Sequence, residues 1–579
     1  MKNTLTLIFG LCILISCTNR NEKNIKDEST YIKYYGGEII TIDITMQSAA
    51  EAVVTKDDII VFVGTKSEAN KLYPYAKSVD LDNNVMIPGF VDNHLHLGLG
   101  AILLPLYWVT PENWGLPNGR TISATVGKEK FLEEVQSLVD QFKKSDQVLQ
   151  IFGYSQYFHG IIYKEDLDKI STTIPINIFH RSFHENIFNS AALDFYGYTR
   201  ENMNDPQADF DKGIVLENFQ QLDFLYQRWL PTFSIDEWKS GIKQVNQLLL
   251  KNGITTIHGP GAFLGATKEQ IDATYELFSE ASARSYFSYD VRPTFYEKGF
   301  EATLNYIDQN ASRNNEHIIY QNDQIKLFID GGMFGQQMMV TEPYTDGHIG
   351  EYITEPKALY ELWEPFWKKN IDVHIHVNGD QGIDDLIIIM EKLQIEFPRE
   401  NHRTVFEHFG VSRIEQSEKM AKLGIIASVN PYYNHALGEN FTINGVGPES
   451  RSHYFSRSGT LAKNNVRFSL HSDFPMAPPS PLFLMWCAVN RLGVSGQTLG
   501  PEEKITPYQA LKAVTIDAAY AIKQEANIGS IEVGKKADFT ILDKNPLKVD
   551  PLSIKDIKVH SVVFNGKFYK NKNSRSQRL

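Results

Sequence analysis

The chain has 579 residues, of which 42% are hydrophobic and 22% charged, and its formal net charge is -13. That length allows a large core and more than one domain, and the balance of apolar and charged residues excludes both a disordered chain and a polytopic membrane protein. No basic field is present to displace counterions from phosphates, so a nucleic-acid partner is not expected.

The first element is "MKNTLTLIFGLCILISC", one early lysine followed by an apolar run from Leu5 to Ile15. The run is too short to span a bilayer comfortably and reads as an export signal over residues 1–16. Its end, Leu14-Ile15-Ser16-Cys17, resembles the lipobox of bacterial lipoproteins, in which the cysteine becomes the lipidated first residue. The expectation is a lipoprotein of the bacterial cell envelope, facing the periplasm or the exterior, whose only membrane contact is the lipid on Cys17. Residues 17–30 are polar and read as a tether. Cys12 leaves with the signal, so Cys487 alone remains inside the fold and no intrachain disulfide framework is possible.

Short alternating runs follow, "EIITIDI", "AEAVVTKDDIIVFVG" and "SVDLDNNVMIPGF", and similar glycine-punctuated runs close the chain, "IGSIEVGKKADFTILD" and "IKVHSVVFNGKFY". Residues 31–87 and 521–570 are therefore expected to form one small β-sandwich domain built from both chain ends. In the middle, Ile235, Trp238, Ile242, Val245, Leu248 and Leu249 recur at helical spacing, end at Gly253 and lead into "ITTIHGPG". A helix from about Ile271 to Ala283 then leads to "YFSYDVRP", and "IKLFIDG", "VHIHVNG", "VFEHFG", "IIASVNP" and "FSLHSD" are later strand candidates. With "GFVDNHLHL" as the first, these are eight strands with mostly helical connections, the count of an α/β fold of the (β/α)₈ TIM-barrel type over residues 88–520. Two spare candidates, "VLQIFGY" and "INIFHRS", belong to an insertion of the first connection at about residues 100–230.

Polar residues that end apolar strands carry the chemistry, because such strand ends meet at one face of a barrel. His94 and His96 close the first candidate, Lys326 lies in the fourth, His376 ends the fifth, His408 the sixth and Asp473 the eighth. His94 and His96, two apart on a strand, are expected to share a side, as two ligands of one ion require. His374 would share the side of His376 and is the alternative ligand. For Lys326 the alternative is an ion pair with Asp330, four residues on.

"GGEIITID", "VMIPGFVDNHLHL", "IPINIFHRSFHENIFNSAAL", "GIVLEN", "IKLFIDGGMFGQQMMVTEPYTD", "HIHVNGDQGID", "VFEHFG", "LHSDFP" and "IGSIEVGKKADFTILD" resemble the amidohydrolase superfamily, and within it the branch of the N-substituted formamide deformylases. The resemblance implies two divalent ions, zinc being the expected metal. It implies that His94, His96 and Asp473 hold one ion and His376 and His408 the other, with Lys326, carboxylated by carbon dioxide, bridging both. Two such ions, one carbamate, one Asp473 carboxylate and one hydroxide leave roughly +1, enough to ionise a bound water near pH ~7. The expected activity is hydrolysis of an amide, N-acyl or N-formyl C–N bond in a small molecule by a metal-bound hydroxide, with Asp473 carrying the proton to the leaving nitrogen. An esterase, lactonase or phosphotriesterase could use the same centre, and a binding lipoprotein without turnover is the alternative of another class. The resemblance also points to His184 and Glu217 as substrate-side residues, although Ser182-Phe183 stands where relatives commonly have Asp-Gly. Asn378, Arg451 and His471 are further pocket candidates, as is Asp380, which would equally serve to cap the helix after it. A homo-oligomer is compatible with all of this.

Overall fold

The computed structural model describes residues 31–43, 45, 49–143, 147–216, 219–261 and 266–571. The expected signal, the tether with Cys17, and Glu217 lie outside the described residues.

Eight strands form the barrel: β1 (Phe90–Asp92), β2 (Ile254–Pro260), β3 (Arg284–Asp290), β4 (Ile318–Phe328), β5 (Asp372–Val377), β6 (Val405–His408), β7 (Ile426–Val429) and β8 (Phe468–Leu470). Each pairs in parallel with the next in chain order, from β1 to β8. Helices cover the outside, so these strands are buried on both faces and read as nearly continuous apolar runs. The helix Ile235–Lys251 shows how the sequence enforces this. Ser234 and Glu237 form a capping box at its start, Trp238, Ile242, Val245, Leu248 and Leu249 are buried, and Gly253 turns with φ 74° into β2. The next helix is shorter than its periodicity suggests and ends at Phe278, which leaves Ala281 and Ala283 to pack in the core before β3.

The two chain ends pair in one mixed sheet of eight strands, in which Phe539–Leu542 from the C-terminal part lies antiparallel to Val85–Pro88 from the N-terminal part. Tyr34, Val53, Ile60, Met86, Phe539 and Val563 form its own core. The chain passes into the barrel at Gly89, where any side chain would strike Thr255 of β2: a Cβ would lie 2.2 Å from its Oγ1. A second link is ionic. Arg284 of β3 donates to Asp538 at 2.6 Å and to Asn565 at 2.5 Å, with the Arg284 and Asp538 side chains only 4% and 3% exposed. Asp538→Ala strands that guanidinium and is expected to cost about 3–5 kcal/mol, read as a lower urea midpoint; a midpoint equal to wild type would deny the link any weight.

The spare strands of the insertion lie in a sheet of their own, in the order Ala208–Asp209, Ile214–Leu216, Glu185–Phe188, Ile176–His180, Leu149–Tyr154, Tyr107–Trp108. No helix among the described residues is long and apolar enough to cross a membrane.

Candidate metal centre

β1 stops at Asp92, so His94 and His96 stand in the turn after the strand, and strand alternation is not what aligns them. Asp92 aligns them instead. Its buried carboxylate accepts the His94 N–H at 3.4 Å, the Ser472 N–H at 3.2 Å and the Ser472 hydroxyl at 2.5 Å, which locks the turn after β1 to the turn after β8. The Asp473 N–H donates to the His94 carbonyl at 2.9 Å and the His96 N–H to the Phe474 carbonyl at 3.0 Å. Asp473 Oδ1 therefore lies 3.1 Å from His96 Nε2 and 3.5 Å from His94 Nε2, while Oδ2 lies 3.6 Å from His408 Nδ1.

The end of β6 is irregular for the same purpose. In a regular strand Glu407 and His408 would point to opposite sides, but His408 has φ 74° and both side chains reach the centre. The His408 ring lies 4.6 Å from that of His94 and 4.4 Å from that of His376. Glu407 is fully buried and lies 2.8 Å from His94 Nδ1 and 2.6 Å from His374 Nδ1. A carboxylate can only accept, so His374 carries hydrogen on Nδ1; His94 Nδ1 lies near the other Glu407 oxygen without a hydrogen bond between them, and His94 Nε2 faces Asp473. His374 is committed to Glu407 in this way, deeper in the barrel, whereas His376 faces His408. His471 joins from β8: its ring stacks on His94 at 4.8 Å, its Nδ1 meets Ser428 Oγ at 2.6 Å and its Nε2 lies 3.2 Å from His408 Nδ1.

Lys326 is 1% exposed and its Nζ has no hydrogen-bond partner among the described residues. The alternative pairing with Asp330 does not form, because the Asp330 carboxylate is occupied by three backbone N–H groups, of Met339 at 3.0 Å, Asn378 at 2.9 Å and Gly379 at 2.7 Å. Asn378 serves His376: its side-chain nitrogen lies 3.0 Å from His376 Nε2, which also faces the Gly331 carbonyl at 3.4 Å.

Electrostatics suit a cation. Burial drives the His94, His376 and His408 imidazoles well below their usual range, outweighing for His94 the opposing pull of Glu407, and repulsion from each other or from Lys326 adds to it. Burial also lowers the Lys326 ammonium to about 8, against the opposing pull of Glu407, Asp473 and Asp290. Burial alone would raise Glu407, but His94 and His374 outweigh it and hold the carboxylate ionised. Ligand atoms of His94, His96 and Asp473 fall within 4.8 Å of one another, as do those of His94, His408 and His471. Nitrogen and carboxylate donors at that spacing fit a divalent ion.

Comparison with known proteins agrees with this geometry. Residues 77–569 match the model of the amidohydrolase family. The chain belongs to that family. An N-substituted formamide deformylase of Arthrobacter pascens is 24% identical over 546 residues, 90% of this chain and 94% of the relative. Protein LONG AFTER FAR-RED 3 of Arabidopsis thaliana is 24% identical over 490 residues, covering 81% and 79%. Among solved structures, an uncharacterized metal-dependent hydrolase from Pyrococcus horikoshii superposes with a TM-score of 0.69 at 21% identity, covering 90% of this chain and 99% of that one. Family and histidine-rich centre together make this chain a metal-dependent hydrolase.

Around the centre of this amidohydrolase, the insertion supplies the cover. Arg181, fully buried, donates to the carbonyls of Pro475 at 3.1 Å and Met476 at 2.6 Å, just after Asp473, and is held by Glu112 and the rings of Trp114 and Phe334. His184 follows in a turn where Ser182 Oγ accepts its N–H at 3.2 Å, the role an Asp would play, and Phe183 takes φ 64°. The left-handed backbone costs Phe183 roughly 1–2 kcal/mol, offset by its stacking on Phe179 at 5.4 Å. The turn survives the departure, and His184 lies within electrostatic reach of His376. Tyr433 turns its buried hydroxyl to Asp473.

Two pocket candidates have partners away from the metal centre, although Arg451 keeps one buried nitrogen, Nη2, without a partner among the described residues. Arg451 donates to the Val446 carbonyl at 3.2 Å and faces Glu342 at 3.8 Å. Asp380 is not the cap of its helix, since Gly379 occupies that position; its carboxylate accepts the Thr341 N–H at 3.0 Å and pairs with Arg413 at 2.9 Å.

Glu407, absent from the sequence reading, makes the clearest case for a supporting residue. Glu407→Gln replaces an acceptor with a group that must offer hydrogens to one imidazole Nδ1, so metal affinity is expected to fall about 10–100-fold. Chelator competition on the purified protein measures this; unchanged affinity would mean that Glu407 does not orient His94.

Proposed function

We propose that this amidohydrolase is a two-metal enzyme that hydrolyses a C–N bond beside a carbonyl, in an amide, N-acyl or N-formyl compound, and that it works as a lipid-anchored protein of the cell envelope. The observation that carries the reading is the convergence of His94, His96 and His408 on Asp473, with the unpartnered Lys326 in the same buried centre. His94, His96 and Asp473 would hold one ion and His376 and His408 the other, with carboxylated Lys326 bridging them and zinc the expected metal. When bound, the ions supply Lewis acidity and acidify a water toward neutral pH.

The chain's own residues do the rest. Asp473, placed between three imidazoles and the Tyr433 hydroxyl, takes the proton of the attacking water and delivers it to the departing nitrogen. An amine leaves only if protonated, so a carboxylate held at the reacting centre suits a C–N bond more than an ester, whose alkoxide needs less help. The likeness to a relative named N-substituted formamide deformylase supports the same choice. Metal analysis together with a panel of N-formyl, N-acyl and matched ester substrates tests the proposal. Stoichiometric metal with amide turnover is expected; a chain without metal, or a wide preference for the ester, would sink it.

A further inference from the structure

The composite sheet has an outer face that the fold covers thinly. In its first strand, Tyr31–Ile39, Tyr34 points into the core shared with the C-terminal strands, so Tyr31, Lys33 and Tyr35 point to the other side. Ala52, Val54 and Phe62 of the neighbouring strands share that side, and the helix Lys66–Leu72, seven residues long, lies over it through Ala69. So short a helix does not close it. Tyr31, Tyr35, Phe62 and Tyr73 stay only partly buried around it, and just past Lys71 stand Leu72 and Tyr75, 60% and 71% exposed.

Lysines frame this end of the patch. Lys56 Nζ lies 5.4 Å from the centre of the Tyr31 ring, which itself lies 5.6 Å from the ring of Tyr73, and the exposed Lys71 and Lys77 flank the segment from Leu72 to Ala76. Two acids are held at the opposite end of the helix: Glu51 accepts the Lys66 N–H at 2.9 Å and Glu68 the Thr65 hydroxyl at 2.7 Å. Asp57, exposed in the turn beyond Lys56, offsets part of the positive charge. On a chain of net charge -13, tyrosine and leucine framed by three lysines form a local exception, and it is the composition that seats at a lipid headgroup layer. The place of the patch fits that partner. Cys17 stands 14 residues before Tyr31, a length of chain that reaches at most about 50 Å, and Tyr31 is itself part of the patch. A lipid on Cys17 would therefore hold this face near a bilayer at a high effective concentration.

Resting on the lipid-anchor reading, we propose that this face docks on an anionic phospholipid surface, with Leu72 and Tyr75 entering the headgroup layer and Lys56, Lys71 and Lys77 meeting its phosphates. The test uses the mature chain from residue 17 with Cys17→Ser, which carries no lipid, and follows its flotation with vesicles. This protein is expected to float with vesicles of equal parts phosphatidylethanolamine and phosphatidylglycerol, to stay behind with phosphatidylcholine, and to detach as salt rises. Leu72→Ser with Tyr75→Ser, and separately Lys71→Gln with Lys77→Gln, are each expected to lower partitioning about tenfold. All four side chains are exposed, so circular dichroism should not change. Absence of flotation, equal flotation on both kinds of vesicle, or variants that float as well as the parent chain overturn the surface. So does a dimer in sedimentation that both variants dissolve, because a second copy would then cover the face. Palmitate labelling of the full chain in a bacterial host reads the anchor separately. No label on Cys17, with flotation that depends on the patch, sinks the anchor reading and keeps the surface; label without flotation does the reverse.

Discussion

Asp473→Asn is expected to lower kcat by about 10³-fold or more, in a protein that folds as wild type. The substitution is nearly isosteric, and the backbone bond from residue 473 to the His94 carbonyl does not involve the side chain. Asp473 has φ 54°, a region that asparagine occupies at least as readily as aspartate, so the turn after β8 is not strained further. What changes is chemistry. An amide is neutral and has only one oxygen, whereas His96 Nε2 faces Oδ1 of the carboxylate and His408 Nδ1 faces Oδ2, and it cannot hold a proton between attack and departure. Unchanged circular dichroism with lost turnover separates this from misfolding. Retention of activity within tenfold, with metal still bound, would show that another group carries the proton.

The barrel was legible because its signal is local: eight runs, each apolar on both faces, separated by capped and amphipathic helices such as Ile235–Lys251. The candidate ligand series stands out only as a joint pattern, an imidazole or charged side chain at the end of strand after strand, because a single histidine in such a run is more often a hydrogen-bonded core residue. Glu407 was passed over because the rule of alternation allows only one of two neighbours to face inward, and the positive φ of His408 that suspends the rule leaves no mark in "VFEHFG". Strand alternation does not align His94 and His96, since the strand ends before them and Asp92 does the aligning. The sheet of the insertion was visible as two surplus strands but not as six. Segments as short as Tyr107–Trp108 and Ala208–Asp209 are strands only because a neighbour pairs with them, and their partners are remote in sequence or set by turns. Arg181 leaves no mark in the sequence for a similar reason: what singles it out is a set of contacts across the fold, to Met476 and Phe334.

If the two-metal proposal holds, Lys326→Ala is expected to be as damaging as the change at Asp473, by removing the second ion rather than the proton carrier. An ammonium at that position would be a buried charge among histidines without one hydrogen-bond acceptor, an arrangement that costs several kcal/mol unless the group loses its charge. Burial lowers its pKa from 10.5 to about 8 even with three carboxylates opposing. At pH 8 roughly half the side chains are then neutral, against well under one in a hundred for a free lysine. Carbon dioxide adds only to the neutral amine, forming an N–C bond and releasing one proton, and the product is an anion able to bridge two cations. The sign of the pH dependence follows. Reactivation of metal-stripped wild type by zinc at a fixed concentration of dissolved carbon dioxide should quicken as pH rises from 6 to about 8 and level off above it, as the neutral fraction of a group with that pKa does. In Lys326→Ala the metal content should fall and turnover drop by about 10³-fold, with partial recovery in added propionate, whose carboxylate can occupy the place of the carbamate. Indifference of wild type to bicarbonate, or two tightly held ions in the alanine variant, would remove Lys326 from the centre and leave Asp473 and the histidines to hold a single ion.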